Sequence, residues 1–199
     1  MYYMIDNYDS FVYNLNAYME ENGCSVLVRR ADRVSFEEIE SLDLEGIIIS
    51  PGPGSPEEAT VSSEILERYQ NIVPILGVCL GHQIIGHHYG ACVCHGNVPV
   101  HGKVTPIHHN NANLFKGLPR EYKVTRYHSL VVSDEKLPPQ LRVTARTTDG
   151  VIMGISHVSY PVYGIQFHPE AVLTEYGHEL LKNFIEICRE WKRIGRRAV

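Results

Sequence analysis

The chain has 199 residues, with 18 Lys plus Arg against 23 Asp plus Glu and a formal net charge of −5. A chain of this length buries roughly 70% of its unfolded surface in one substantial core, its mild acidity argues against nucleic acid as a partner, and it lacks the ~18 consecutive apolar residues of a membrane span. The opening MYYMIDNYDSF carries no basic signal-peptide start and the five cysteines are scattered, so a cytoplasmic protein with free thiols is expected.

Residues 2–6 are a β-rich run ending in the turn-like Asn7-Tyr8-Asp9-Ser10. Ser10 is placed to cap a helix from 11 to about 22, with Phe11, Leu15, Tyr18 and Met19 on one stripe and Gly23 past its end. A strand at 25–29 comes next, then a short helix opened by Ser35 with Glu38 in capping-box register. The continuously apolar runs 46–50 and 74–78 suit strands covered on both faces, and each is followed by a helix, at 61–70 and 80–89. Strands alternating with helices mark parallel βαβ units.

The second half changes character. Short strand-like runs at 103–107, 122–127, 141–147, 151–155 and 162–167 predict added antiparallel strands and a return to the central sheet. A final helix is expected from about 175 to 194, stopped by Gly195, with Leu180, Leu181, Phe184, Ile187, Cys188 and Trp191 as its packing stripe. The basic cluster 189–197 is the solvated end of that helix. The expected fold is a single α/β domain over 1–199, with a mostly parallel central sheet flanked by helices and extra antiparallel strands.

The strongest chemical signal is Gly77-Val78-Cys79-Leu80-Gly81, a nucleophile between glycines where an apolar strand meets a helix. A thiol at a helix N-terminus is favoured as thiolate, and the Leu80 N–H becomes a donor for an oxyanion. His168-Pro169-Glu170 comes after another strand-like run and offers a base with an orienting carboxylate, the logic of a catalytic triad. Ser50-Pro51-Gly52-Pro53-Gly54-Ser55-Pro56 leaves a third buried strand as a stiff loop with few, aimed N–H groups. Parallel sheets collect ligands outside the carboxyl ends of their strands, so the three elements converge on one edge.

The strings NYDSF, SPGPGSP, GVCLGHQ, HGK, RYHSL and GIQFHPE, in this order, resemble class I glutamine amidotransferases, and more narrowly the small glutaminase subunits of anthranilate or aminodeoxychorismate synthases. The resemblance implies the flavodoxin-like fold of that family, Cys79 as nucleophile, His168 as base and Glu170 as its partner. It assigns oxyanion N–H groups to Gly52 and Leu80. Glutamine would be held at its α-amino and α-carboxylate groups by Gln83 and the Ser129-Leu130 backbone, alongside Gly52, Pro53 and Gly54. Lys103 and the NYDS loop would serve communication or the interface.

The implied partners are L-glutamine and a larger chorismate-binding synthase subunit, in a heterodimer or heterotetramer, with neither nucleic acid nor membrane. No cofactor is implied in this subunit, Mg2+ being expected only in the chorismate-using partner. The family usually has serine after His-Pro-Glu, and the Ala171 found here removes a hydroxyl that could steady Glu170. Cys92-x-Cys94 lacks the spacing of a zinc knuckle, and no metal site is expected. His82 is expected to pack beside the elbow helix. Two other readings remain open at this point: a stand-alone cysteine γ-glutamyl hydrolase, and an inactive regulatory or scaffold subunit.

Overall fold

The computed structural model describes residues 1–195, the side chain of Asn97 excepted, so Arg196 and Arg197 of the basic cluster lie outside the described residues. The first half alternates through β1 (Tyr2–Asp6), α1 (Val12–Glu21), β2 (Val26–Arg30), α2 (Phe36–Ser41), β3 (Gly46–Ile49), α3 (Thr60–Tyr69), β4 (Ile75–Val78) and α4 (Leu80–His88). The second half runs through β5 (Val93–His109), β6 (Glu121–Val132), β7 (Leu141–Thr147), β8 (Ile152–His157) and β9 (Val162–Ile165) to α5 (Gly177–Gly195). These strands form one sheet of order β2-β1-β3-β4-β9-β8-β7-β5-β6.

The sheet is mixed. Pairings from β2 to β9 are parallel, and those from β9 through β8, β7 and β5 to β6 are antiparallel. Strands β1, β3 and β4 are buried along their whole length because helices cover both faces, and their side chains alternate between two cores. Met4, Ile48 and Leu76 pack with Leu15 and Met19 of α1 and with Leu180, Leu181 and Phe184 of α5. Tyr3, Ile5, Ile47, Ile49 and Ile75 pack on the other face with Ile65 and Leu66 of α3 and Ile84 and Ile85 of α4.

Several local expectations need correction. Ser10 does not cap α1: the cap residue is Phe11, whose N–H donates to the Asp9 carboxylate at 2.7 Å. Phe11 is half-exposed rather than part of the buried stripe, which is Val12, Leu15 and Met19. Ser35 does cap α2, accepting from the Glu38 N–H at 3.2 Å, but the Glu38 carboxylate turns to Arg29 at 2.7 and 2.9 Å. The box is therefore half closed. Helix α5 runs through Gly195, the last residue described, instead of stopping before it. Trp191 is half-buried and donates its indole N–H to the Ile72 carbonyl at 2.9 Å.

Strands β5 and β6 are much longer than the runs expected at 103–107 and 122–127. Residues 93–104 of β5 pair with β6 alone, with register shifts between His95 and Val100 and between His101 and Lys103. The described side chains of residues 93–104 are exposed or half-buried, so this stretch of β5 does not need a continuous hydrophobic face and its sequence does not alternate. Strand β9 stops at Ile165, two residues short of the run expected at 162–167, and the chain turns there. Among the described residues, no helix is long and apolar enough to cross a membrane.

The order 2-1-3-4 places β1 between two strands that come after it in sequence. The chain thus reverses direction of growth across the sheet at β1, the arrangement that opens a crevice beyond the strand carboxyl ends.

Candidate active site

Strand β4 ends at Val78, and Cys79 adopts φ 52° and ψ −99° at the entry to α4. A non-glycine residue holds this costly conformation only where the surroundings over-determine it. Two constraints do so. The Cys79 N–H donates to the Ile165 carbonyl at 2.8 Å, tying the turn to the end of β9. Helix α4 presses directly on β3, since a β-carbon on Gly81 would lie 2.3 Å from the Ile49 carbonyl oxygen. The sulfur therefore stands at a helix N-terminus in a buried position.

The same tie draws the segment leaving β9 toward the sulfur. His168 is pinned by its backbone: its N–H donates to the Thr125 carbonyl at 3.2 Å, and its carbonyl accepts from the Thr174 hydroxyl at 2.7 Å. Thr174 in turn accepts from the Thr125 N–H at 2.9 Å. The imidazole Nδ1 meets Glu170 Oε1 at 2.6 Å, and both side chains are almost wholly buried. Tyr127 closes edge-on over the imidazole, ring centres 5.2 Å apart.

Burial alone would pull the His168 pKa down. Hydrogen bonding and charge at the Cys79 sulfur, joined by the Glu170 carboxylate, outweigh it and hold the pKa well above that of a free histidine. With Nδ1 committed to Glu170, Nε2 is left for the sulfur side, and among the described residues it has no hydrogen-bond partner other than what Cys79 offers. Glu170 Oε2 is buried and has no hydrogen-bond partner among the described residues, and Ala171 is the next residue. The missing hydroxyl has not detached the carboxylate, which stays on His168 through Oε1.

Gln83 projects from the first turn of α4. Its Nε2 donates to the Leu130 carbonyl at 3.0 Å and to Gln166 Oε1 at 3.2 Å. The Leu130 carbonyl also takes a hydrogen bond from His128 Nδ1 at 3.0 Å, while His128 Nε2 accepts from Arg126 Nε at 3.1 Å. Ser129, between them on β6, is exposed. Gly52, Pro53 and Gly54 turn over the end of β3, the strand paired with β4, and Gly52 is tightly seated: a β-carbon there would lie 2.4 Å from the Asn7 carbonyl oxygen. Lys103 lies apart, on the β5–β6 arm opposite Arg126, in a groove with Asp149.

Five of these residues escaped the sequence reading as functional: Gln166, Arg126, His128, Tyr127 and Thr174. Gln166 had a signal, a polar residue between Ile165 and Phe167 in an otherwise apolar run. A cavity of about 160 Å³ opens beside His168 and Glu170, lined further by Phe11, Asn14, Tyr127 and Leu173. Cys92 and Cys94 are both exposed, and among the described residues no three or more potential metal ligands are grouped.

His82 packs beside the elbow as expected, wholly buried, with its Nδ1 close against Gly164. Burial drives its pKa down to about 3, and burial with the nearby Arg126 drives that of His128 down to about 4. Both stay neutral in the fold, while the unfolded chain binds protons at these residues below about pH 6.5. Stability is therefore lost as pH falls below about 6.5, by up to roughly 1.4 kcal/mol per pH unit for each histidine. In urea melts at pH 7 and pH 5, His82→Leu should look at least 1 kcal/mol more favourable, relative to the unmodified chain, at the lower pH. A pH-independent difference would show that His82 is not held neutral.

Comparison with known proteins agrees with the architecture. Residues 3–188 match the family described as glutamine amidotransferase class-I. An anthranilate synthase component 2 of Pseudomonas aeruginosa is 52% identical over 190 residues, covering 93% of this chain and 94% of its own. An aminodeoxychorismate/anthranilate synthase component 2 of Bacillus subtilis is 46% identical, covering 96% and 98%. The chain spans 32% of a longer, bifunctional relative from Thermotoga maritima that is 48% identical to it. A solved protein of Thermoplasma acidophilum, provisionally described as part of a GMP synthase, superposes with a TM-score of 0.87 at 28% identity over 98% of this chain and 96% of its own.

Proposed function

Because the chain belongs to the class-I glutamine amidotransferase family, and is a glutamine amidotransferase enzyme in its glutaminase role, we propose that Cys79, His168 and Glu170 split L-glutamine and that the ammonia serves a chorismate-using synthase subunit. The observation that carries the assignment is the buried His168–Glu170 pair at 2.6 Å, tied through Ile165 to a cysteine on a strained strand-to-helix turn.

The Cys79 thiolate attacks the carboxamide carbon of glutamine. The N–H groups of Leu80, first in α4 and without an intrahelical acceptor, and of Gly52 receive the oxyanion. His168 delivers its Nε2 proton to the leaving nitrogen, ammonia departs, and a γ-glutamyl thioester remains on Cys79. Water then gives its proton to His168 as it attacks the thioester, releasing glutamate and the thiolate. Glu170 keeps the imidazole oriented throughout. The amide nitrogen of Gln83 is engaged by Leu130 and Gln166, which leaves Oε1 to accept from the substrate α-ammonium. The Ser129-Leu130 backbone and Gly52-Pro53-Gly54 complete the grip on the α-groups.

Ammonia released into water would be protonated and lost as a nucleophile, so the acceptor site belongs against this one, on a larger chorismate-binding subunit. The names of the two curated relatives support that partner. No cofactor is proposed for this subunit; Mg2+ is assigned to the synthase subunit. Of the two chorismate products, anthranilate is the one proposed, and aminodeoxychorismate is the other outcome of the test. Glutamine hydrolysis by the chain alone should be at least tenfold slower than with the copurified subunit, and the chorismate product should be anthranilate. Equal turnover without the partner, or turnover of γ-glutamyl peptides alone, would sink this reading.

A further inference from the structure

We propose that Gln166 is a positioning residue for the nucleophile, its side-chain amide donating a hydrogen bond to the Cys79 sulfur and aiming the thiolate at the substrate. The proposal rests on the reading of Cys79 as nucleophile. Gln166 is fully buried at the turn that ends β9, with its N–H donating to the Met153 carbonyl at 3.0 Å. Its Nε2 lies 3.7 Å from Cys79 Sγ, and its Oε1 accepts from Gln83 Nε2 at 3.2 Å. Gln83 is itself fixed by the Leu130 carbonyl at 3.0 Å.

This chain of amides has a direction. The Leu130 carbonyl can only accept, so the Gln83 nitrogen must face it and Gln166. That nitrogen can only donate, so Gln166 must turn its oxygen toward Gln83 and its NH2 toward the sulfur. The reversed amide would set two NH2 groups against each other and a carbonyl oxygen against a thiolate. A buried polar side chain is satisfied in one orientation and doubly frustrated in the other. The donor on the sulfur is thus set from β6, through a relay of hydrogen bonds, by the backbone proposed to hold the glutamine α-groups.

A thiolate in a buried site needs donors to replace water, and His168 supplies one that is also the proton carrier of the reaction. Once His168 gives up its proton to the leaving nitrogen, a neutral amide that neither gains nor loses protons still faces the sulfur. Hydrogen bonds to charged groups are about twice as strong as neutral ones, so this contact acts mainly on the ionised form. It should favour the ionised sulfur and hold Sγ in one direction of attack, with little effect on how glutamine binds.

Two replacements of similar size separate these effects from packing. Gln166→Met keeps the volume and removes the donor; Gln166→Glu keeps the shape and turns an oxygen to the sulfur. On the full chain, the rate of Cys79 alkylation by iodoacetamide should be measured against pH. Its midpoint should move upward by about one unit in Gln166→Met and further in Gln166→Glu, one unit being a tenfold change in the thiolate equilibrium. In the complex with the synthase subunit, kcat for glutamine should fall about tenfold or more, with KM within about threefold. Gln166→Asn, shorter but still an amide, covers the case in which the methionine variant does not fold, and it should shift the midpoint less than Gln166→Glu. An unmoved midpoint in the folded variants, or a rise in KM with kcat unchanged, overturns the proposal. Loss of the Cys79 assignment itself would register differently, as glutamine hydrolysis that survives Cys79→Ala.

Discussion

Cys79→Ala should abolish glutamine-dependent synthesis by the complex while leaving the ammonium-dependent reaction within about twofold of the unmodified enzyme. Losing the nucleophile of a triad removes roughly 10⁴–10⁶ of rate, because the remaining groups act only through it. Cys79 belongs to the buried core, but its sulfur also faces the Gln166 amide and the His168 side chain, and alanine removes only that one atom from the apolar packing. Alanine can hold the turn, which is set by the Cys79 N–H to Ile165 and by the packing of Gly81 on β3. In the proposed division of labour, the chorismate chemistry belongs to the partner and needs only ammonia. Assays with glutamine and with ammonium salt, run side by side on the same preparation, check the division. Equal loss in both arms would mean that the substitution had broken the assembly, and equal survival would mean that the sulfur is not the nucleophile.

Glu170→Gln should reduce kcat by about 10²–10⁴ with a folded protein and a nearly unchanged KM. The contact at stake is the 2.6 Å bond from His168 Nδ1 to Glu170 Oε1. A carboxylate can only accept there, which places the neutral imidazole proton on Nδ1 and leaves Nε2 free to take a proton from water. An amide nitrogen in its place donates to Nδ1, puts the proton on Nε2 and turns the base the wrong way. The substitution also removes one of the two influences that hold the His168 pKa up, so burial would pull it lower. The imidazolium–thiolate pair should then persist over a narrower pH range. Steady-state kinetics of the complex check the loss, and activity within threefold of the unmodified enzyme would remove Glu170 from the triad.

Much of the fold could be read because the parallel half is built from strands covered on both faces. Such strands need apolar residues at every position, and Gly46-Ile-Ile-Ile and Ile75-Leu-Gly-Val announce themselves. The β5–β6 arm could not be read in the same way. His95, Pro99, His101 and Lys103 sit on a ribbon that is exposed over much of its length and broken by bulges, so neither periodicity nor propensity marks its extent. At α1, Ser10 is a good capping residue by type, but Asp9 reaches the Phe11 N–H first.

The residues of the proposed triad were legible for a different reason. A cysteine between two glycines and a His-Pro-Glu run after a strand each place chemistry at a strand end, and the sheet order does the rest. The contacts of Gln166 and His128 were not legible, although Gln166 stands out as a polar residue in an apolar run. Gln166 bonds to Gln83 and Cys79, more than eighty positions back in the chain, and His128 bonds to Leu130 and Arg126 along extended strand. No spacing rule encodes such contacts, whereas burial of an amide or an imidazole exposes them at once.

In the proposed mechanism a γ-glutamyl thioester on Cys79 is the species on which every step turns, and mass spectrometry after rapid acid quenching tests for it directly. The complex would be mixed with glutamine, stopped within a turnover and digested. The peptide bearing Cys79 should carry the mass of one γ-glutamyl group, and the adduct should accumulate further in Glu170→Gln, where water is poorly activated. Steady-state hydrolysis of glutamine with no adduct on Cys79, or with the adduct on Cys24, Cys92, Cys94 or Cys188, would contradict the account.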